Sequence, residues 1–136
     1  MKSTQVTDGI YRLSANMEDI LFEGLWPIPN GVAMNSYIVV ALDSIDYVIV
    51  NHMEPDHSGW LEDFKKIRPD FTIVTSKKAV PLMKAFFDIT NDIMVVGDGD
   101  TLDLGGGRVL AFAEIPNVHW PETIATFDTL SGTLMP

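Results

Sequence analysis

Between residues 45 and 96, three short apolar runs, 45–50, 71–75 and 93–96, alternate with two stretches of helical periodicity. Beyond residue 101 the pattern changes to short runs joined by turn residues. This order restricts the fold more than any other feature of the chain. Strand, helix, strand, helix, strand points to a parallel sheet with crossover helices, whereas 101–104, 109–115, 123–127 and 132–135 read as antiparallel hairpins. The first helical stretch, 58–68, carries Trp60, Leu61, Phe64 and Ile67 and is stopped by Pro69. The second presents Ala79, Leu82, Met83, Phe86 and Phe87 on its inner face, with Ser76 as the expected N-cap. Ahead of these, 9–13 and 35–40 read as strands separated by an aromatic, Pro- and Gly-punctuated loop, 22–29. A chain of 136 residues, 46% apolar, is long enough for one such core and short for two, so residues 1–136 are expected to form one α/β domain.

The run 45–50 leads directly into Asn51-His52-Met53-Glu54-Pro55-Asp56-His57-Ser58-Gly59. Four metal-competent side chains, His52, Glu54, Asp56 and His57, fall within six residues at the carboxyl end of an expected buried strand, where α/β sheets gather their functional groups. In an extended loop alternate side chains project to one side, so His52, Glu54 and Asp56 are expected to converge, with His57 reaching in from the helix that follows. Imidazole with carboxylate is a nitrogen and oxygen donor set that leans toward iron or manganese over zinc. The bland alternative is a solvated loop in which Asp56 or Ser58 caps the next helix. The remaining histidine, His119, lies in Val118-His119-Trp120-Pro121 after the 109–115 run and on its own reads equally as a hydrogen-bonded, half-buried histidine. Gly105-Gly106-Gly107 is turn chemistry; no lysine follows it and it joins two strands rather than opening a helix.

Composition removes several function classes. Nine basic against nineteen acidic residues give a net charge of −10, which disfavours nucleic acid and anionic membrane as partners. The absence of cysteine excludes disulfides, thiolate metal sites and cysteine nucleophiles. No signal-like segment or membrane-length apolar run occurs, so the expected location is the cytoplasm.

His52-x-Glu54-x-Asp56-His57-x-Gly59 resembles the ligand signature of flavodiiron proteins and their oxygen-binding diiron relatives in the metallo-β-lactamase superfamily. Phe22-Glu23-Gly24-Leu25-Trp26-Pro27, Asn35-Ser36-Tyr37 and His119-Trp120-Pro121-Glu122-Thr123 match in the same order, so the resemblance covers nearly the whole chain. It implies a metallo-β-lactamase-like αββα sandwich. Zinc hydrolases of the superfamily carry a histidine at the place of Glu54, and the carboxylate there marks the diiron branch. The resemblance further implies that His52, Glu54 and His119 bind one iron, and Asp56 and His57 the other. Trp120, Trp26 and Phe22 would shelter the pocket. The implied activity is reduction of dioxygen or nitric oxide, or reversible oxygen binding, with electrons from a flavoprotein or rubredoxin, FMN not held by this chain itself, and a homodimer as the assembly. The competing readings are a zinc hydrolase on the same scaffold and a metal-free binding or structural remnant.

Two departures from the family pattern shape the expectations. The family's bridging aspartate and last histidine would fall beyond Pro136, so the sandwich is expected to be incomplete in its carboxyl-terminal half and the chain alone inactive. Only residues 41–44 separate the 35–40 run from the 45–50 run, too few for a parallel crossover. The two runs therefore form a hairpin or a segment between them has been lost.

Overall fold

The computed structural model describes the backbone of residues 2–7, 10–17, 21–22, 26–27 and 32–39, and all of residues 45–136; side chains are described for residues 5, 6 and 45–136. The chain divides into two compact units, residues 1–42 and 43–136.

In the first unit β1 (Lys2–Thr7), β2 (Ile10–Met17) and β5 (Val32–Val39) form an antiparallel sheet in the order β1-β2-β5. The expected strands 9–13 and 35–40 are present as β2 and β5, paired without a break from Ile10↔Val39 to Met17↔Val32. The strand β1 was not foreseen, because Lys2-Ser3-Thr4-Gln5-Val6-Thr7 has no apolar alternation; its ladder to β2 is a matter of backbone pairing. The stretch 22–29, expected to be loop throughout, contributes a minimal hairpin, β3 (Leu21–Phe22) against β4 (Trp26–Pro27). Residues 23–25 and 28–31, and the side chains of Phe22 and Trp26, lie outside the described residues.

The second unit opens with β6 (Tyr47–Ile49), α1 (Pro55–Ser58), α2 (Leu61–Ile67), β7 (Thr72–Ser76), α3 (Ala79–Phe87) and β8 (Ile93–Val96). The three strands form the expected parallel sheet in the order β6-β7-β8. The middle strand is buried along almost its whole length, which is why residues 71–75 show an unbroken apolar and β-branched run rather than alternation. Around it Val50, Met53, Leu61, Phe71, Ile73, Ala79, Met83 and Ile89 make one core, joined by Phe64, Leu82 and Phe87. The expected helix 58–68 is two pieces, α1 and α2, broken at Gly59 and Trp60. Trp60 and Ile67 lie on the outer side, and Phe86 sits at the rim of α3 edge-on to Phe87, so three of the expected core residues are exposed. Arg68, pushed toward extended backbone by Pro69, ends α2. Ser76 does serve α3, as its hydroxyl accepts from the Ala79 amide at 3.2 Å.

After residue 100 the chain forms β9 (Thr101–Asp103), β10 (Val109–Glu114), β11 (Ile124–Asp128) and β12 (Thr133–Met135), an antiparallel sheet in the order β12-β11-β10-β9. Gly105, Gly106 and Gly107 turn between β9 and β10 with φ of 80°, 62° and 83°, values that exclude most side chains and make this the expected glycine turn. Asn51 joins the two sheets. Its carbonyl accepts from the Ile124 amide (2.9 Å), its side-chain amide donates to the Met135 carbonyl (2.9 Å) and its Oδ1 accepts from the Thr126 hydroxyl (2.7 Å). The strands β5 and β6 belong to separate sheets in separate units, and residues 41–44 between them lie outside the described residues. Among the described residues no helix is long and apolar enough to cross a membrane.

Candidate metal centre

The loop leaving β6 continues the parallel ladder for one residue, with the Val50 amide on the Val74 carbonyl, and is then held by Asn51. His52 and Glu54, two residues apart on extended backbone, project to the same side while Met53 between them is fully buried in the core. Alternation stops there. Pro55, with its fixed φ, opens α1, so Asp56 lies on a helical turn and not on the extended loop expected for it. Its carboxylate is mostly exposed and stands 3.7 Å from His57 Nε2. The Ser58 hydroxyl, buried, donates to the Met53 and Glu54 carbonyls (3.1 and 2.9 Å) and fastens the turn; neither Ser58 nor Asp56 caps α2. Gly59 closes α1 with its amide on the Pro55 carbonyl at 2.8 Å, and a Cβ there would meet that oxygen at 2.6 Å, a clash.

Ligand atoms of His52, Glu54 and His57 all lie within 4.8 Å of one another. His119 arrives from the other sheet, on the loop between β10 and β11, and places its Nε2 2.8 Å from Glu54 Oε2. The same oxygen stands 3.0 Å from His52 Nε2. The rings of His52 and His119 are 4.7 Å apart at 70°, those of His52 and His57 5.4 Å apart. Trp120 packs edge-on to His52 at 5.3 Å. Three of the five expected ligands, His52, Glu54 and His57, thus cluster, His119 meets them at Glu54, and Asp56 stands beside His57 at the edge.

Burial pushes the Glu54 carboxyl upward, but hydrogen bonds and charge from His52 and His119 outweigh it and hold the group below the ordinary carboxylate range. The remaining polar contact was not foreseen from sequence. Glu122 Oε1 lies 2.7 Å from His52 Nδ1 and also accepts from the Met53 amide at 3.2 Å. An amide can only donate, which marks this oxygen as an acceptor and His52 Nδ1 as the donor. With Nδ1 engaged by Glu122, Nε2 of His52 faces the Glu54 carboxylate at 3.0 Å. An imidazole nitrogen and a carboxylate oxygen aimed at one small volume are a donor set that fits a metal ion. Glu122 follows a proline in what reads as a turn, and its partner lies 70 residues away; only its place inside the matched His119-Trp120-Pro121-Glu122-Thr123 motif could have drawn attention to it.

The family model described as ODP family beta lactamase matches residues 24–136. The chain belongs to the ODP family. Among curated members, it is 44% identical over 90 residues to diflavin flavoprotein A 1 of Synechocystis sp., covering 66% of this chain and 16% of that protein. It is 42% identical over 92 residues to flavo-diiron protein FprA2 of Clostridium acetobutylicum, covering 65% of this chain and 22% of that protein. Rubredoxin oxygen:oxidoreductase from Desulfovibrio gigas superposes with a TM-score of 0.86 at 25% identity, covering 98% of this chain and 40% of the other. The chain therefore spans well under half the length of these ODP-family relatives. Its fold is the metallo-β-lactamase-like fold of flavodiiron proteins, in agreement with the fold class expected from the sequence.

Proposed function

We propose that this chain is the iron-binding part of a non-haem diiron oxidoreductase that binds or reduces dioxygen, or reduces nitric oxide. The observation that carries the reading is the shared Glu54 Oε2, 3.0 Å from His52 Nε2 and 2.8 Å from His119 Nε2, which gathers donors from both sheets around one small volume. His52, Glu54 and His119 would hold one iron, and Asp56 and His57 contribute to the other. Two ferrous ions held there would supply electrons and bind both atoms of the substrate. The chain's own residues do the rest. Glu54 supplies anionic charge and His52 an imidazole oriented by its Nδ1 contact to Glu122. Trp120 excludes water from the face of His52.

The names of the relatives support redox chemistry with rubredoxin or a flavoprotein as electron donor, FMN being held outside these residues. We place the protein in the cytoplasm as a homodimer. Iron titration of the chain, elemental analysis, anaerobic reduction and oxygen or nitric oxide consumption test the proposal. Iron retained in preference to zinc, with the position of His52, Glu54 and His119 filling first, supports it. Zinc alone, together with esterase or thioesterase turnover, would move the chain to the hydrolase class.

A further inference from the structure

Glu122 is only 3% exposed, and its Oε2 is buried with no hydrogen-bond partner among the described residues. A half-satisfied buried carboxylate is costly, so packing alone gives no reason for one at this position. We propose that Glu122 is the positioning residue of the metal centre: its Oε1 holds the proton on His52 Nδ1, leaving Nε2 as the ligating atom. The inference rests on the metal-binding reading of the site and adds a residue outside the set of five ligands.

Three observations support it. The contact to His52 Nδ1 is 2.7 Å, the shortest made by this ring, and the Met53 amide points at the same oxygen from 3.2 Å. Glu122 is itself fixed at the root of β11. Its carbonyl accepts from the Ser76 hydroxyl at 2.7 Å, and two residues on the Ile124 amide donates to the Asn51 carbonyl at 2.9 Å. The carboxylate is thus delivered from one sheet to a histidine at the end of the other, with little freedom on either side. A carboxylate on the outer nitrogen of a metal-binding histidine fixes its tautomer and orientation and raises its basicity.

The test compares the full chain with Glu122→Gln and Glu122→Leu, using cobalt(II) as the probe. Affinity is read by competition with a chromophoric chelator, and the His52 tautomer by ¹⁵N shifts of the metal-free protein with the ring neutral. The leucine variant should lose ~10–100-fold in cobalt affinity, the range typical of such outer partners. The glutamine variant, which keeps an acceptor oxygen, should recover most of that loss. The His52 proton should reside on Nδ1 in the unmodified protein and in Glu122→Gln, and move to Nε2, toward Glu54, in Glu122→Leu. Unchanged cobalt affinity in Glu122→Leu would overturn the inference, as would a proton on Nε2 in the unmodified protein. If the unmodified chain binds no cobalt, the metal-binding reading fails, while the tautomer still decides what Glu122 does to His52.

Discussion

His52 and His119 bring the same atom, Nε2, to the same carboxylate oxygen, yet they belong to the fold in different ways. The His52 side chain is 13% exposed, engaged at both ring nitrogens and placed on a loop that continues the ladder of a core strand. The His119 side chain is 62% exposed, and among the described residues its hydrogen bond is to Glu54. Its loop is tied down through other residues, with the Asn117 amide on the Trp120 carbonyl (2.8 Å), the Ile115 amide on the Thr123 carbonyl (3.0 Å) and the Thr123 hydroxyl on the Trp120 carbonyl (2.9 Å). One histidine is built into the structure; the other is offered to it. Residues of the first kind should report on folding and on metal together, and residues of the second kind on metal alone.

The largest effect that can break this contrast is at His52 itself. His52→Ala leaves the buried Glu122 carboxylate with, among the described residues, the Met53 amide as its partner, and should cost about 2–4 kcal/mol of metal-free stability as well as abolishing metal uptake. Denaturant unfolding of the metal-free chain, paired with a cobalt titration, reads both. A variant as stable as the parent would show that His52 is no more part of the fold than His119.

Asn51→Ala comes next, at about 2 kcal/mol, because it strips a donor from the Met135 carbonyl and an acceptor from Thr126 while retaining the main-chain bond to Ile124. Since the side chain binds no metal, any fall in cobalt affinity would measure how far the two sheets must stay in register to bring His119 to Glu54. Ser58→Ala should cost about 1 kcal/mol through its lost bonds to the Met53 and Glu54 carbonyls, and should loosen His57 more than His52. That difference is visible as faster hydrogen exchange in α1 with the Val50 and Met53 amides unchanged. At the small end, His119→Ala should shift metal-free stability by less than about 0.5 kcal/mol while still weakening cobalt binding. Equal losses in both measurements would place His119 with His52 after all.

The same contrast explains how much could be seen in the sequence. Runs of apolar and β-branched residues and helices with one apolar stripe write themselves into residue pattern, so β6 to β8, α3 and the hairpins of β9 to β12 were legible from it. The strand β1 was not, because a polar ladder partner needs no apolar period, and neither was the break at Gly59 and Trp60, which interrupts a helical period without erasing it. His52, Glu54 and His57 stood out by proximity in the chain. The alternation argument failed for Asp56 because Pro55 starts a helix one residue earlier than an extended loop would allow. Glu122 was silent for a different reason: its role lies in a contact across 70 residues, and spacing carries no information about that.

The glycine that ends the signature has no donor side chain to offer, and its importance is one of exclusion. A methyl group at residue 59 would lie 2.6 Å from the Pro55 carbonyl, so the turn that carries His57 closes only around a bare α-carbon. A genome search keyed to the histidines and carboxylates alone would collect chains that own the right atoms and cannot assemble them. Requiring the glycine two residues after the second histidine turns a search for chemistry into a search for shape.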